Sequence, residues 1–301
     1  MATGGPVTSS RVVALQPLLG LSNRLRAISS FHVLALRTGR DFRLSWVPSQ
    51  GFSDEDLSAL VENAFVRIDE AEFDALRSGA LRLEEAGEVS AHDLFEARQH
   101  VIAYRGHKTV DALVGARAPA SLPAGFLEAY KAELTGWRPA PAVGGEVDAV
   151  ASEFDAHTIG VHVRRGDAIV DPVRGWKFRI SSDAAFFRRM DGLLRAEPRT
   201  TFFLATDDAE TEERFVERYG DAVRTNPAKR FVPSIWREPK QNQHDAVVDL
   251  FALSRTQRIL GNLGSTFSSL AAGIGDIPLE RVVDSSWSAR FRRAVGRLLR
   301  H

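Results

Sequence analysis

Chemically versatile side chains are concentrated after one short apolar segment in the middle of the chain. The string Ile-Gly-Val-His-Val-Arg-Arg-Gly-Asp, residues 159–167, contains His162, Arg164, Arg165 and Asp167. It predicts a buried strand followed by a polar loop, and ligands bind beyond the carboxyl ends of the strands in a parallel α/β sheet. Two adjacent guanidinium groups there indicate an anionic ligand, because their N–H donors match pairs of phosphate or carboxylate oxygens. The alternative is an exposed turn with a surface Arg–Asp pair.

Two further predicted strands end in polar residues. Residues 201–205 precede Thr206, Asp207 and Asp208, and residues 258–261 precede a serine-rich turn that enters an alanine-rich helix. That turn contains Ser265, Thr266, Phe267, Ser268 and Ser269. Because the strands are expected to be parallel, the three polar clusters should meet at one edge of a sheet, which indicates a ligand site there.

Each cluster suits one part of a nucleoside diphosphate. Arginines neutralise the phosphates, and the serine-rich turn offers hydroxyls and helix N-terminal amides to phosphate oxygens. Asp207, Asp208 and Asp249 are suited to accept hydrogen bonds from ribose hydroxyls or from the N–H edge of a base. A divalent ion held by Asp207 and Asp208 is an alternative, although adjacent carboxylates on a strand point in different directions. No G-x-G-x-x-G after a strand and no phosphate-binding P-loop sequence is present, which disfavours dinucleotide oxidoreductases and P-loop enzymes.

A second candidate anion site lies near the amino terminus. Residues 11–16 predict a strand, and the helical periodicity that starts at Ser22 predicts a helix before a second strand at 41–46. Asn23 and Arg24 fall in the first helical turn, where free backbone N–H groups and the helix dipole favour anions. The alternative is that both are solvated helix residues.

Strands and helices alternate in both halves of the chain, which predicts an α/β protein with parallel sheets. The 301 residues are enough for two domains. Prolines and a glycine pair in residues 137–145 predict the junction, with domains at 1–145 and 146–301. The basic C-terminal helix predicted at 287–301 has two alternatives, which are packing against the protein, including the N-terminal domain, and a weak membrane-surface contact.

Composition narrows the function classes. The formal net charge is 0, which argues against a broad electrostatic surface for nucleic acid. The absence of cysteine excludes disulfides, thiolate nucleophiles and zinc–thiolate sites, and it suits a reducing compartment. No apolar run reaches the roughly 18 residues of a membrane span, and the amino terminus lacks signal-peptide features, so we expect a cytoplasmic protein. With 34 arginines against 5 lysines, an arginine is informative only within a motif.

The polar strand ends also carry a family resemblance. His162-Val-Arg-Arg-Gly-Asp167 resembles the H-x-R-x-x-D motif of the inverting fucosyltransferases, a superfamily of α-1,2-, α-1,6- and protein O-fucosyltransferases and the nodulation enzyme. Residues 20–24 resemble the opening G-x-x-N loop of that family, and residues 203–208 resemble its second motif. The third motif is matched by residues 249–254 together with 265–269. The middle of the chain has no counterpart.

The resemblance implies a GT-B fold, with two Rossmann-like domains facing a cleft and the nucleotide sugar on the C-terminal one. It implies inverting transfer of fucose or a related sugar from GDP-fucose or a similar donor, without a metal or other cofactor. The acceptor would be a hydroxyl of a glycan, a glycolipid or another molecule. By position, Arg164 would hold the β-phosphate with help from Ser268 or Ser269. His162 and Asp249 would address the guanine or ribose, with Asp207 and Asp208 close by.

A catalytic role is expected for three residues. Arg164 would stabilise the charge that grows on the β-phosphate in the transition state. The acceptor hydroxyl needs a base, for which Asp167 and Asp171 are the candidates, and an N-terminal-domain residue or the leaving phosphate are the alternatives. The rival functions are a transferase that uses another nucleotide sugar, a nucleotide-sugar-binding protein without catalysis, and an α/β regulatory or scaffold protein.

Overall fold

A computed structural model describes residues 11–48, 55–83, 91–104, 122–165, 180–232, 240–241 and 243–284. The chain divides into two compact units, Met1–Trp137 and Arg138–His301. The segment expected to join two domains is not extended throughout, because Pro141 begins a helix that continues to Ala151. Proline suits the first position of a helix, since the N–H that it lacks would have no partner there.

The first unit contains a parallel sheet with its strands in the order β2-β1-β4-β3. Its described elements are β1 (Val12–Gln16), α1 (Leu21–Arg37), β2 (Asp41–Leu44), α2 (Leu57–Leu60), α3 (Glu70–Ala75), β3 (Leu81–Arg82), α4 (Ala91–Glu96), β4 (Val101–Tyr104) and α5 (Phe126–Thr135). The central strand β1 is buried along its whole length, because it has sheet neighbours on both sides and apolar side chains.

The second unit contains a parallel sheet with its strands in the order β11-β10-β5-β6-β7. Its described elements are α6 (Pro141–Ala151), β5 (Thr158–Val163), α7 (Asp183–Ala196), β6 (Thr201–Thr206), α8 (Ala209–Tyr219), β7 (Val223–Arg224), β8 (Phe231–Val232), β9 (Lys240–Gln241), α9 (Gln243–Leu253), β10 (Ile259–Asn262), α10 (Thr266–Gly275) and β11 (Leu279–Val282). The predicted α/β class with parallel sheets is therefore confirmed.

The strand order of the second unit creates a switch point between β5 and β10. From β5 the chain adds β6 and β7 on one side, and it later adds β10 and β11 on the other side. β5 and β10 are paired neighbours, with Gly261 opposite His162. In open parallel sheets such a reversal leaves a crevice beyond the carboxyl ends of the two neighbouring strands, where ligands bind. Arg164 and Arg165 follow β5 at this point, and residues 263–265 follow β10.

Close packing fixes the positions of these strand ends. One hydrophobic cluster joins the sheet to α7 and α8, and it includes Val161, Val163, Phe186, Met190, Phe202, Leu204 and Phe215. Each such side chain contributes about 1.5–3 kcal/mol relative to an exposed one. A methyl group at Gly261 would come within 2.6 Å of the Ser268 hydroxyl, so α10 packs directly against the backbone of β10. Glycine is needed there for this close approach.

The described helices include none that is both long and apolar enough to cross a lipid bilayer. The basic helix predicted at 287–301 lies outside the described residues, as do Asp167 and Asp171. Their predicted roles stay predictions.

Candidate functional site

The two arginines that follow β5 have different surroundings. Arg165 is only 8% exposed, and its guanidinium forms an ion pair with Asp183 at the start of α7. The same group also donates to the main-chain oxygens of Ser181 and Arg164, each at 3.0 Å. Arg165 therefore anchors the loop to α7, and the structure supports a positioning role for it rather than direct contact with a ligand.

Arg164 is the more accessible of the pair, because 34% of its side chain is exposed. Its NH1 atom lies 2.7 Å from Oδ2 of Asp207, at the end of β6. The other oxygen of Asp207 accepts a hydrogen bond of 2.7 Å from the backbone N–H of Arg165. The backbone N–H of Arg164 donates to Oδ1 of Asn262 at 2.6 Å. The ends of β5, β6 and β10 are thus tied together around an accessible guanidinium.

Asp208 has a local structural role. It is the N-cap of α8, where its carboxylate accepts hydrogen bonds from the backbone N–H of Thr211, at 2.8 Å, and from the Thr211 hydroxyl. Such a cap satisfies a helix N–H that would otherwise lack a partner. The carboxylates of Asp207 and Asp208 serve different partners, Arg164 and Thr211, and the predicted ligand contact of Asp208 stays a prediction.

The buried His162 and the partly buried Phe267 stack where the first and third polar clusters meet. The imidazole is 5% exposed, and its ring stacks on Phe267 with centroids 4.7 Å apart. Its Nδ1 atom lies 3.3 Å from the hydroxyl oxygen of Ser265, the N-cap residue of α10. The structure therefore brings His162, Ser265 and Phe267 together, as the sequence predicted.

The surroundings of His162 are electrostatically positive. Burial is the largest cause that lowers its pKa to about 3, and the charges of Arg164, Arg281, Lys229 and Arg165 lower the pKa further. The ring is therefore neutral at pH 7, with one nitrogen as donor and the other as acceptor. Of the four cations, Arg164, Arg165 and Lys229 are paired with carboxylates in this structure, and Arg281 donates to the serine-rich turn.

The turn from β10 into α10 presents helix N-terminal groups beside this region. Gly264 has a φ of +81°, in the left-handed region that glycine adopts without strain. The side chain of Ser265 does not cap the backbone of its own helix, and the first turn of α10, which begins at Thr266, contains no acidic residue. A helix start of this kind favours an anion through its N–H groups and dipole.

Arg281 was missed by the sequence reasoning. It lies on β11, a strand that was not predicted, and its NH1 atom donates to the main-chain oxygens of Asn262 and Ser265 at 2.9 and 3.2 Å. It also donates to the hydroxyl oxygens of Ser268, at 2.9 Å, and Ser269. The available signal was the short stretch after Pro278, in which charged and apolar residues are mixed as on an edge strand.

Lys229 was also missed, and it lies beside the predicted base contact Asp249. Its Nζ atom is 2.5 Å from Oε2 of Glu212 and 3.4 Å from Oδ2 of Asp249, and the side chains of Lys229 and Asp249 are each 1% exposed. Burial alone would lower the pKa of Lys229, but the two carboxylates outweigh it and the pKa is raised. Asp249 therefore belongs to a buried ion triad with Lys229 and Glu212, and Lys229 is close enough to influence His162.

The candidate anion site of the first unit has a different construction. Arg24 is fully buried and donates to the main-chain oxygens of Leu19 and Val47, each at 2.9 Å, while its guanidinium lies 4.7 Å above the Trp46 ring. Burial lowers the pKa of Arg24 to about 10. The solvated alternative is wrong for Arg24, which instead braces the loop after β1. Asn23 is partly buried, and its backbone N–H donates to Gly20 at 3.0 Å.

Among the residues that the structure describes, no group of three or more histidine, aspartate or glutamate side chains is arranged to hold a metal ion. The base candidates Asp167 and Asp171 belong to the undescribed segment 166–179, so the geometry of the site does not choose between them.

The sequence matches no family model and no curated protein, whereas the fold matches solved structures closely enough to align most of the chain. Fucosyltransferase NodZ from Bradyrhizobium aligns with a TM-score of 0.53 and 19% identity over 88% of this chain and 93% of that one. A NodZ α-1,6-fucosyltransferase crystal soaked with GDP-fucose gives 0.56 and 18%, covering 91% of this chain and 95% of that one.

Two further fucosyltransferase structures agree. A mutant of Arabidopsis thaliana FUT1 in complex with GDP aligns with a TM-score of 0.53 and 14% identity, covering 93% of this chain and 71% of that one. POFUT1 in complex with GDP gives 0.51 and 10%, covering 91% and 98%. Identities this low establish the fold alone, and the fold that the motif resemblance predicted is confirmed.

Proposed function

We propose that this protein is a glycosyltransferase that moves fucose or a related sugar from a GDP-sugar to an acceptor hydroxyl, with inversion and without a metal. The observation that carries the proposal is the convergence of Arg164, the neutral His162 and the serine-rich start of α10 at the switch point of the second unit. Of the four solved structures named above, two are described as NodZ fucosyltransferases, and three of the four contain GDP or were soaked with GDP-fucose.

In the proposed donor complex the diphosphate lies between the loop after β5 and the start of α10. Arg164 exchanges the carboxylate of Asp207 for a phosphate oxygen, and the N-terminal N–H groups and serine hydroxyls of α10 hold the remaining oxygens. His162 and the Lys229–Asp249 pair lie on the nucleoside side, where the neutral imidazole and the carboxylate recognise polar edges of the ribose or base.

The reaction breaks the bond between the sugar carbon and the β-phosphate oxygen while the acceptor oxygen attacks from the opposite side. The bonding electrons leave with the phosphate, whose growing negative charge Arg164 stabilises more strongly than the ground-state charge. The acceptor hydroxyl gives its proton to a carboxylate, for which Asp167 and Asp171 are the candidates of this chain. Metal independence is part of the proposal because the guanidinium groups supply the positive charge that a divalent ion would otherwise provide.

A donor screen that detects released nucleoside diphosphate tests the proposal, with several nucleotide sugars and with and without EDTA. We expect turnover with a GDP-sugar and a higher melting temperature with GDP than with UDP, both unaffected by EDTA. Turnover only with a UDP- or TDP-sugar would replace the donor assignment. GDP binding without turnover on any acceptor would favour a nucleotide-sugar-binding protein, and no stabilisation by any nucleotide would exclude both functions.

The base assignment needs a separate comparison of Asp167→Asn and Asp171→Asn. The variant that removes the base should lose most of kcat while keeping its affinity for GDP, since the amide holds its place but accepts no proton. If both variants keep wild-type turnover, neither carboxylate is the base.

A further inference from the structure

Arg281 on the edge strand β11 contacts the serine-rich turn through both of its terminal nitrogen atoms. Its NH1 atom donates to Asn262 O, Ser265 O and Ser268 Oγ at 2.9, 3.2 and 2.9 Å, and its NH2 atom donates to Ser269 Oγ. A guanidinium carries only donors, so the two serine oxygens necessarily act as acceptors in these bonds.

Because the serine oxygens accept hydrogen bonds from Arg281, the serine O–H groups are left to act as donors. The hydroxyl of Ser269 donates to the main-chain oxygen of Ser265 at 3.0 Å, and that of Ser268 donates to the same oxygen at 3.4 Å. Each hydroxyl has one proton, and a lone pair of its oxygen is already used by Arg281. Both hydroxyls are thereby kept as donors, and Ser269, which is partly buried whereas Ser268 is fully buried, is the one that can offer its proton to a phosphate oxygen.

Arg281 also donates a hydrogen bond to Ser265 O, the main-chain oxygen that loses a donor when a serine hydroxyl turns to a ligand. When a hydroxyl turns from Ser265 O to a ligand, that buried oxygen would lose a donor, at a cost of about 1–3 kcal/mol for an unsatisfied group. The NH1 atom of Arg281 already donates to the same oxygen and keeps it satisfied. The rotation of the Ser269 hydroxyl is therefore inexpensive.

The same guanidinium connects the turn to the other side of the switch point. Asn262 accepts from Arg281 through its main-chain oxygen, and it accepts from the backbone N–H of Arg164 through its side-chain oxygen. Arg281 and Arg164 thus contact two different oxygens of one fully buried asparagine.

We infer that Arg281 is a positioning residue of the diphosphate pocket, which polarises the hydroxyl of the partly buried Ser269 as a phosphate donor and frees it to rotate, while its bond to the fully buried Ser268 fixes the turn. This inference rests on the proposed function, because it assumes that the ligand at this turn is a nucleoside diphosphate. It concerns the phosphates alone and leaves recognition of the nucleoside to other residues.

The test compares the affinities of GDP and guanosine, measured by calorimetry or by NMR-shift titration, in wild-type protein and in Arg281→Gln and Arg281→Lys. Arg281→Gln should weaken GDP roughly tenfold or more, as loss of charge-assisted hydrogen bonds predicts. Its affinity for guanosine should change less than about twofold, because no phosphate is present. Arg281→Lys should lie between, since it keeps the charge and loses the planar fork.

Arg189→Gln is the matched control. Arg189 pairs with Glu280, the neighbour of Arg281 on the same strand, through two contacts of 2.5 and 2.8 Å. This variant removes an arginine from the same strand surroundings and should leave the GDP-to-guanosine affinity ratio unchanged. An equal change of that ratio in Arg189→Gln and Arg281→Gln would overturn the inference.

A double-mutant cycle of Arg281→Gln and Ser269→Ala tests whether Arg281 acts through the Ser269 hydroxyl. If Arg281→Gln fails to fold, Arg281→Lys takes its place in the cycle. The GDP losses should be strongly non-additive, because removing either partner removes the same phosphate contact. Additive losses, or equal losses for GDP and guanosine, would overturn the inference while leaving the proposed function in place. Failure of wild-type protein to bind GDP would instead reject the proposed function, and the inference with it.

Discussion

The two units place an arginine near the carboxyl end of a corresponding strand, and they use it in opposite ways. β1 and β5 are each the strand at which the strand order of their sheet reverses. Arg24, shortly after β1, is 0% exposed and donates to two main-chain oxygens. Arg164, directly after β5, keeps 34% of its side chain exposed and contacts a carboxylate.

The partner of each guanidinium explains the difference. Main-chain oxygens cannot leave, so Arg24 is a permanent part of the loop after β1, where Leu19 holds a positive φ of 75° that is uncommon for a residue with a side chain. A carboxylate is an anion that a ligand phosphate can replace, so Arg164 is suited to exchange. In a chain with 34 arginines, the environment of an arginine is therefore more informative than its presence.

The strongest test of this comparison is Arg164→Ala. We expect transfer to fall by about 100- to 1,000-fold, the usual loss when one donor to a developing oxyanion is removed. GDP affinity should fall much less, because the charge that Arg164 meets grows in the transition state. Steady-state kinetics and calorimetry separate the two effects. Equal losses in turnover and in GDP affinity would show that Arg164 acts by ground-state binding alone.

Arg24→Met should give the opposite pattern. Removal of the buried guanidinium leaves the main-chain oxygens of Leu19 and Val47 without this donor, so we expect unfolding to become easier by about 2 kcal/mol. Urea denaturation measures this change. The affinity for GDP, measured well below the denaturation midpoint, should stay within about twofold of wild type. A large loss of GDP affinity in a stable Arg24→Met protein would revive the predicted anion-binding role.

The elements around the proposed site could be predicted because their sequence signals are local. β5 was predicted at residues 158–163 and observed at Thr158–Val163, since its apolar and β-branched residues favour a buried strand. The helix at 209–219 was also predicted with its observed bounds, and Asp208 supplies its capping signal. β11 escaped detection because a four-residue edge strand with two charged residues has little hydrophobic pattern.

The roles of neighbouring residues could not be predicted in the same way. Arg164 and Arg165 are identical in type and adjacent, and only the position of Asp183 at the start of α7 assigns one of them to the interior. Lys229 has no local motif, and its importance depends on Glu212 and Asp249, which two different helices bring to it. Contacts that join distant parts of the chain carry no signal in a single sequence.

His162 offers a test through pH. Its pKa is lowered to about 3 in the folded protein from an ordinary value of 6.5, so the unfolded chain binds the extra proton between those limits. The stability that this group contributes is complete above about pH 6.5 and is lost as the pH falls towards about 3, at about 1.4 kcal/mol per pH unit for one proton. His162→Gln should therefore show a shallower loss of stability with acid in urea denaturation at several pH values. Parallel profiles for the two proteins would contradict a buried neutral imidazole.

The smallest expected effect is a loss of stability in variants of Asp208, the residue that caps α8. Asp208→Ala removes the cap of α8 and should lower stability by about 1 kcal/mol, whereas Asp208→Asn should keep most of it, because asparagine is an equally good N-cap. Neither variant should change GDP affinity if the carboxylate serves only Thr211. A ribose or base contact predicts instead that both variants weaken GDP, since an amide lacks the negative charge. Calorimetry on Asp208→Asn thus shows whether this carboxylate is structural or binds the ligand. The variants of Arg24 and Arg164 make the same distinction between the arginines of the two units.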